Sequence, residues 1–283
     1  MLRIAIQSKG RLYEESMALL EEAGIKIPGG KRTLLVPARN FPVEVLFLRD
    51  DDIPESVASG VADVGIVGLN EVMEKRCPVG ILKKLGFGKC RLSLAIPQDI
   101  DYQDGNWFSG KKIATSYPGI LSDYLHKNGI VSDIHVITGS VEIAPGIRLA
   151  DAIFDIVSSG STLVSNRLKE VETVVESEAV LIGTDSISPE KRGILDELLF
   201  RFDSVQAADD KKYILMNVPQ KKLNDVLSVL PGIKSPTVMP LADKEWCSVH
   251  TVLDEKCFWE IINRLKTAGA EGILVLDIEK MIL

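Results

Sequence analysis

The 283-residue chain has three histidines and four cysteines, and neither set is arranged for chemistry. Cys77, Cys90, Cys247 and Cys257 show no Cys-x-x-Cys spacing and no histidine beside them in zinc-like order. They read as free thiols in a reducing compartment. The histidines are scattered, with none near a serine or cysteine in triad-like context, and His250 falls in the C-terminal part. No apolar run approaches membrane-spanning length, and Met1–Gln7 reads as a strand rather than a signal peptide, so a cytoplasmic location is expected. No long basic run offsets the net charge of −7, which argues against a general nucleic-acid binder. A polyanionic ligand would then need a local basic pocket. The chain lacks a Walker A sequence, and Asp63–Gly68 lacks the G-x-G-x-x-G spacing of a Rossmann fingerprint. Low-complexity segments and repeats are also absent.

What is present is an alternation of strand and helix patterns. Leu2–Gln7, Glu44–Leu48, Val64–Val67, Arg91–Ile96, Lys112–Thr115 and His135–Ile137 read as strands. Between them, Arg11–Glu22 reads as a helix stopped by Gly24, Ile53–Gly60 as a short helix with Pro54 in its first turn, and Ile120–Asn128 as another helix. Such order implies parallel sheets with helices on both faces and ligands at the carboxyl ends of strands. The last part differs. Lys212–Val218, Trp246–Leu253 and Gly272–Ile278 read as strands, Lys221–Val229 and Asp254–Ala268 as helices, and Pro231-Gly232 as a turn. This β-α-β-β-α-β-like order suggests a small ferredoxin-like module, with acidic Gln206–Asp210 as a hinge before it.

The segment from Glu142 to Leu163 carries the most chemistry. It sets two carboxylates, Glu142 and Asp155, before the hydroxyl-rich run Ser158, Ser159, Gly160, Ser161 and Thr162. A carboxylate pair can hold a vicinal diol, and a Ser/Gly/Thr loop opening a helix can wrap a phosphate with backbone N–H groups. Together they suggest a sugar-phosphate site. Ser8-Lys9-Gly10-Arg11 follows the first strand, where a phosphate-binding turn is expected, and Lys9 and Arg11 can meet phosphates. Arg49 ends a strand before Asp50–Asp52, an acidic run that suits either a water-bridged metal or capping of the next helix, with Asp52 as the cap. Gly68 permits close backbone approach. Arg91, Ser116 and Tyr117 flank strands where a second ligand would lie, and Tyr117 can stack on a base or simply fill the core.

These residues form a set that resembles the long form of ATP phosphoribosyltransferase. The resemblance runs through Gln7–Leu12, Arg49–Pro54, Asp63–Gly68, Phe87–Ala95, Ile113–Pro118, Gly139–Pro145, Asp155–Leu163 and Ile273–Met281. It implies a bilobal core like periplasmic binding proteins plus a C-terminal ferredoxin-like regulatory domain. Residues 1–89 and 182–208 would form one lobe, 90–181 the second lobe with the phosphoribosyl loop, and 210–283 the regulatory domain that binds histidine. The implied reaction joins N1 of ATP to the anomeric carbon of 5-phosphoribosyl 1-diphosphate in the first step of histidine biosynthesis, with Mg²⁺ neutralising the departing diphosphate. Glu142 and Asp155 would hold the ribose hydroxyls, and Ser158–Thr162 the 5-phosphate. Lys9, Gly10, Arg11, Arg49, Gly68, Arg91, Ser116 and Tyr117 would serve ATP or diphosphate. Asn217, Thr237, Ser248 and Ala270 would contact inhibitory histidine, and a homo-oligomer, dimer or hexamer, is implied. One position departs: Arg148 stands where the family signature has glycine. Either it crowds the site or it faces outward. Fold by itself does not separate such an enzyme from a non-enzymatic binding protein of the same architecture.

Overall fold

Leu2, Ile4, Ala5 and Ile6 have no accessible surface, which makes β1 (Leu2–Gln7) a strand buried on both faces. The computed structural model describes residues 1–28, 33–231 and 236–282. They divide into one unit, Met1–Leu199, and another, Phe200–Leu283. After β1 come α1 (Arg11–Glu22), β2 (Leu35–Pro37), β3 (Val43–Leu48), α2 (Ile53–Ala58), β4 (Val64–Gly68), α3 (Leu69–Lys75) and β5 (Gly80–Lys84). α1 stops where its sequence predicts. Gly24, at φ 75°, takes the left-handed turn, and the Ile25 N–H donates back to the Leu20 carbonyl at 2.8 Å. The chain continues through β6 (Cys90–Pro97), β7 (Lys112–Thr115), α4 (Pro118–Lys127), β8 (Asp133–Val136), β9 (Ala152–Val157), α5 (Ser161–Ser165) and β10 (Leu168–Ser177). It then forms β11 (Ala179–Gly183) and α6 (Pro189–Ala208).

Two sheets result in the first unit. One has the order β2-β3-β1-β4-β11-β5, the other β10-β6-β9-β7-β8. The strand–helix alternation predicts parallel sheets, yet both are mixed. β3, β1 and β4 are parallel, but β11 runs antiparallel to β4 and β5. Likewise β8, β7 and β9 are parallel while β6 is antiparallel to β9 and β10. The reason lies in the connections. Parallel neighbours need a crossover helix, whereas β6 and β11 each enter a sheet directly from the other one. The second sheet buries both faces. Leu92, Leu94 and Phe154 pack with Leu121 and Leu125 of α4, and Ala95, Ile153 and Val157 pack with Val141 and Leu163.

Asp52 does not cap α2. The acidic run Asp50–Asp52 is itself a 3₁₀ turn, so Asp52 already has helical backbone angles and its side chain bonds to no N–H there.

The second unit completes the ferredoxin-like pattern with β12 (Lys211–Pro219), α7 (Leu223–Val229), β13 (Thr237–Pro240), β14 (Trp246–Asp254), α8 (Glu255–Ala268) and β15 (Glu271–Asp277). Its sheet order is β13-β14-β12-β15. Met216, Val218, Cys247 and Val249 meet Val226, Phe258, Ile261 and Leu265 of the two helices. The expected turn at Pro231-Gly232 has its glycine outside the described residues.

Candidate active site

β9 delivers the chain to Ser158 and Ser159, and Gly160, at φ 80°, turns it into α5. An L side chain is disfavoured in that left-handed region, so the glycine is what lets the loop close tightly. The Ser159 and Ser161 hydroxyls lie 3.0 Å apart. The first N–H groups of a helix have no acceptor within it, so a loop of small residues at this point offers donors to an anion.

Asp155 is on β9, half-buried, just ahead of that loop. Burial pushes its carboxyl up to about 6, the negative charge of Glu142 adds to the rise, and the Ile156 N–H, 2.8 Å from Oδ1, opposes it. Glu142 sits on a short 3₁₀ turn, Val141–Ile143, so tertiary structure brings the two carboxylates within electrostatic reach. Arg148 is exposed and lines neither depression described below. Its backbone is at φ 60°, the left-handed region, and its N–H donates to the Pro145 carbonyl at 3.0 Å. Glycine suits that backbone, not the space around it.

The basic candidates separate into distinct roles. Arg11, at the start of α1, places Nη1 3.3 Å from the Ser158 hydroxyl and binds Glu15 through Nε at 3.0 Å. Gly10, at φ 93°, forms the turn before it, and Lys9 is exposed in the same turn. Arg91 is not a free phosphate ligand. Its guanidinium forks onto both oxygens of Glu170, and Nη1 donates to the Ser158 carbonyl at 3.1 Å. Arg91 together with the Ser93 and Thr173 hydroxyls holds the Glu170 carboxyl down to about 2. Arg49 is largely exposed, pairs with Asp51 at 3.2 Å, and lines neither depression described below. Ser116 spends its hydroxyl on the Ile137 carbonyl at 2.8 Å.

Tyr117 is not an open stacking platform. It belongs to the buried core of the second sheet, and its hydroxyl donates to Glu71 Oε1 at 2.9 Å. Glu71 is 6% exposed. Asn70 joins it there, donating from Nδ2 to Glu71 Oε1 at 3.1 Å, while Ser177 donates to Asn70 Oδ1 at 2.8 Å. Burial raises the Glu71 carboxyl above its ordinary value despite the Tyr117 hydrogen bond. The sequence reading missed Glu71 and Glu170. Neither lies in a recognisable motif, and a glutamate on a helix or an edge strand is by default a solvated residue.

These groups surround a cavity of about 250 Å³ lined by Gln7, Arg11, Asp50, Gly68, Asn70, Glu71, Lys89, Cys90, Ile156 and Ser158. A larger depression, about 490 Å³, adjoins it through Lys89, Cys90 and Ser158 and adds Lys84 and Arg91. Both depressions mix charges: Arg11 and Lys89 face Glu15, Asp50 and Glu71 in the smaller, and Lys84, Lys89 and Arg91 stand with Glu176 and Glu178 in the larger, where Lys84 pairs with Glu178 at 3.1 Å. Among the described residues, no group of three or more His, Cys, Asp or Glu is placed to hold a metal ion.

In the second unit, Asn217 of β12 pairs directly with Ser248 of β14, and Thr237 of β13 pairs with His250. Their neighbours Met216, Val218, Cys247 and Val249 face the helices, so these polar residues share the opposite face of the sheet. His250 is held there between the Tyr213 hydroxyl at 2.6 Å and the Ser248 hydroxyl at 2.9 Å. Ala270 is not on that face; it is buried in the core against the helices.

Comparison with known proteins gives a consistent result. The family described as ATP phosphoribosyltransferase matches residues 49–204, and the one described as the HisG C-terminal domain matches 208–280. An ATP phosphoribosyltransferase of Bacteroides fragilis is 70% identical over 283 residues, covering all of both chains. One from Phocaeicola vulgatus is 71% identical over the same length, again covering both chains fully. One from Cytophaga hutchinsonii is 58% identical over 281 residues, 99% of this chain and 98% of the relative. Among solved structures, a chain of the ATP phosphoribosyl transferase (HisG:HisZ) complex from Thermotoga maritima aligns with a TM-score of 0.61 at 27% identity, covering 71% of this chain and 98% of that one. The substrate-binding protein of an amino acid ABC transporter aligns at 11% identity with a TM-score of 0.50, covering 73% of this chain and 93% of that one, a likeness of fold alone.

Proposed function

This chain belongs to the ATP phosphoribosyltransferase family in its long form, enzymes of the first step of histidine biosynthesis, and we propose that it transfers the 5-phosphoribosyl group of 5-phosphoribosyl 1-diphosphate to N1 of ATP with release of diphosphate. The observation that carries this reading is the electrostatic coupling of Asp155 and Glu142 ahead of the Ser158–Thr162 loop, whose Ser158 lines the cavity.

The loop receives the 5-phosphate through its N–H groups and hydroxyls, with Arg11 at its edge. Asp155 and Glu142 accept hydrogen bonds from the ribose 2′- and 3′-hydroxyls, which fixes the sugar with its anomeric carbon toward the cavity. As the bond to diphosphate lengthens, positive charge develops on the ring, and two nearby carboxylates stabilise it. Most of the remaining rate comes from holding the adenine in line with that carbon. Lys89, which lines both depressions, supplies a cation for the triphosphate and diphosphate, with exposed Lys9 in the turn before Arg11 as a second. The donor set suits Mg²⁺ carried on substrate oxygens and water rather than in a cage of side chains, and the ion would neutralise the departing diphosphate.

The same proposal takes residues 1–89 and 182–208 as one lobe and 90–181 as the other, with the lobe-I return moved to the start of β11 at Ala179. It takes 210–283 as a histidine-binding regulatory domain that uses the sheet face of Asn217, Thr237 and Ser248. It also places the protein in the cytoplasm as a homo-oligomer; among the described residues no helix is long and apolar enough to cross a membrane. Incubation with ATP, Mg²⁺ and 5-phosphoribosyl 1-diphosphate should release diphosphate and produce an N1-substituted adenine chromophore. No chromophore under these conditions would refute the reading.

A further inference from the structure

Glu71 is the most deeply buried ionisable group lining the cavity, at 6% exposure, and the role of the sugar-phosphate loop leaves it unexplained. Its Oε1 accepts from both Tyr117 and Asn70, and no described residue donates to Oε2. A buried carboxylate oxygen beside a ligand cavity, with its twin already satisfied, is poised for a donor on the ligand. Tyr117 connects it to the sugar site. The hydroxyl that donates to Glu71 Oε1 at 2.9 Å is held in its neutral form by burial first and then by the charges of Glu71 and of Asp155, so the acceptor and the ribose-holding carboxylate both act on one hydroxyl.

Resting on the reaction above, we propose that Glu71 accepts a proton from the 6-amino group of the adenine as N1 attacks the anomeric carbon. The N1 lone pair forms the bond to carbon, and the carbon–oxygen bond to diphosphate breaks with its electron pair leaving on oxygen. Alkylation at N1 makes the purine cationic and its exocyclic N–H acidic. Transfer of that proton to Glu71 Oε2 leaves a neutral imino product, and the proton passes on to water after release. Asn70 and Tyr117 hold the carboxylate in place, so the acceptor needs no reorganisation. The raised carboxyl is also a stronger base than an exposed glutamate. Asp50 and Asp51 add to that rise, while Lys75 and the Tyr117 hydroxyl act against it.

The test compares ATP with purine ribonucleoside triphosphate, which lacks the 6-amino group, in wild type and Glu71→Gln, following diphosphate release. Asn70 Nδ2 needs an acceptor, so the glutamine carbonyl takes the place of Oε1 and its NH₂ is set against the adenine amine. E71Q is expected to lower kcat on ATP by about 100-fold, the usual scale of general-base loss. Turnover of the analogue should be nearly the same in both proteins. An equal fall on both substrates, or no fall on ATP, would overturn the proposal, since a merely structural role for Glu71 ignores the amino group. Should E71Q not fold, Glu71→Asp carries the same comparison with a smaller split. If wild type releases diphosphate from neither nucleotide, the parent reaction fails as well, so the two failures are told apart.

Discussion

Arg91 donates from Nη1 to the carbonyl of Ser158 at 3.1 Å, and this bond ties the first residue of the hydroxyl loop to β6. The rest of the guanidinium is forked onto Glu170. We propose that the residue acts chiefly by positioning the loop. Lysine keeps the charge but not the planar fork. Arg91→Lys is expected to raise the KM for 5-phosphoribosyl 1-diphosphate about tenfold, a loss of about 1.4 kcal/mol, with the KM for ATP little changed. Steady-state kinetics with each substrate varied in turn decides this; equal rises in both KM values would contradict the positioning role.

Asp155 places function and stability in opposition. Its carboxyl is raised to about 6 in the folded protein, chiefly by burial. The stabilising contribution of a raised carboxyl is complete below the unfolded value near 4 and is lost as pH rises through about 6. At pH 7 the ionised group therefore costs stability, on the order of 2–3 kcal/mol at about 1.4 kcal/mol per unit. Asp155→Asn should unfold at higher denaturant than wild type at pH 7.5, converge with it near pH 4, and lose most turnover. In the wild type, kcat/KM should fall on an acidic limb near pH 6. Urea titrations at both pH values together with a pH–rate profile test the pair of claims.

Arg148 stands in a left-handed conformation with its side chain in solvent. Arg148→Gly is expected to raise stability by about 0.5–1 kcal/mol, the cost of an ordinary residue in that region less the entropy that glycine adds to the unfolded chain. Turnover should stay within twofold. Thermal unfolding with parallel assays checks it, and a large gain in activity would mean the arginine does obstruct the site.

Glu74 of α3 accepts the Gly119 N–H at 2.8 Å and the Ile120 N–H at 2.9 Å, capping α4 of the other sheet from outside its own chain segment. Pro118 opens α4, and Tyr117 before it offers no side-chain cap. Glu74→Ala should cost about 1–2 kcal/mol, the range for losing a helix cap. Glu74→Gln, which can accept only through its single oxygen, should cost about half as much. Equilibrium unfolding of both variants provides the measurement.

Asn217 and Ser248 are cross-strand partners on the polar face of the second unit's sheet. Asn217→Ala is expected to weaken inhibition by histidine at least tenfold while leaving uninhibited turnover unchanged. A dose–response curve identical to wild type would remove that face from the regulatory proposal.

Much of this was readable in advance wherever one local signal sufficed. The buried run of Leu2–Gln7, the Gly24 stop and the strand Lys112–Thr115 all appear at their expected places, because hydrophobic period and glycine backbone preference act within a few residues. β10 was not legible. Its run Leu168–Ser177 is rich in charge and carries two irregularities against β6, between Glu170 and Glu172 and between Thr173 and Val175, which break the alternation that marks a strand. β11 was hidden for another reason: it is a short apolar run whose sheet membership depends on β4 and β5, far earlier in the chain.

By itself the sequence determined the strand–helix alternation of the first part, the ferredoxin-like order of the C-terminal unit, and the hydroxyl loop with its two carboxylates. Those features follow from side-chain chemistry and spacing along the chain. Tertiary structure alone decided that Arg91 would be spent on Glu170 and Ser158, that Arg49 would stay in solvent, and that Tyr117 would be sealed against Glu71. Each of those outcomes depends on the energy of a charge or hydroxyl in its final surroundings. A buried carboxylate must find donors, an exposed arginine keeps its water whichever neighbour it meets, and only the folded chain brings residues 70 and 71 against 117 and 177.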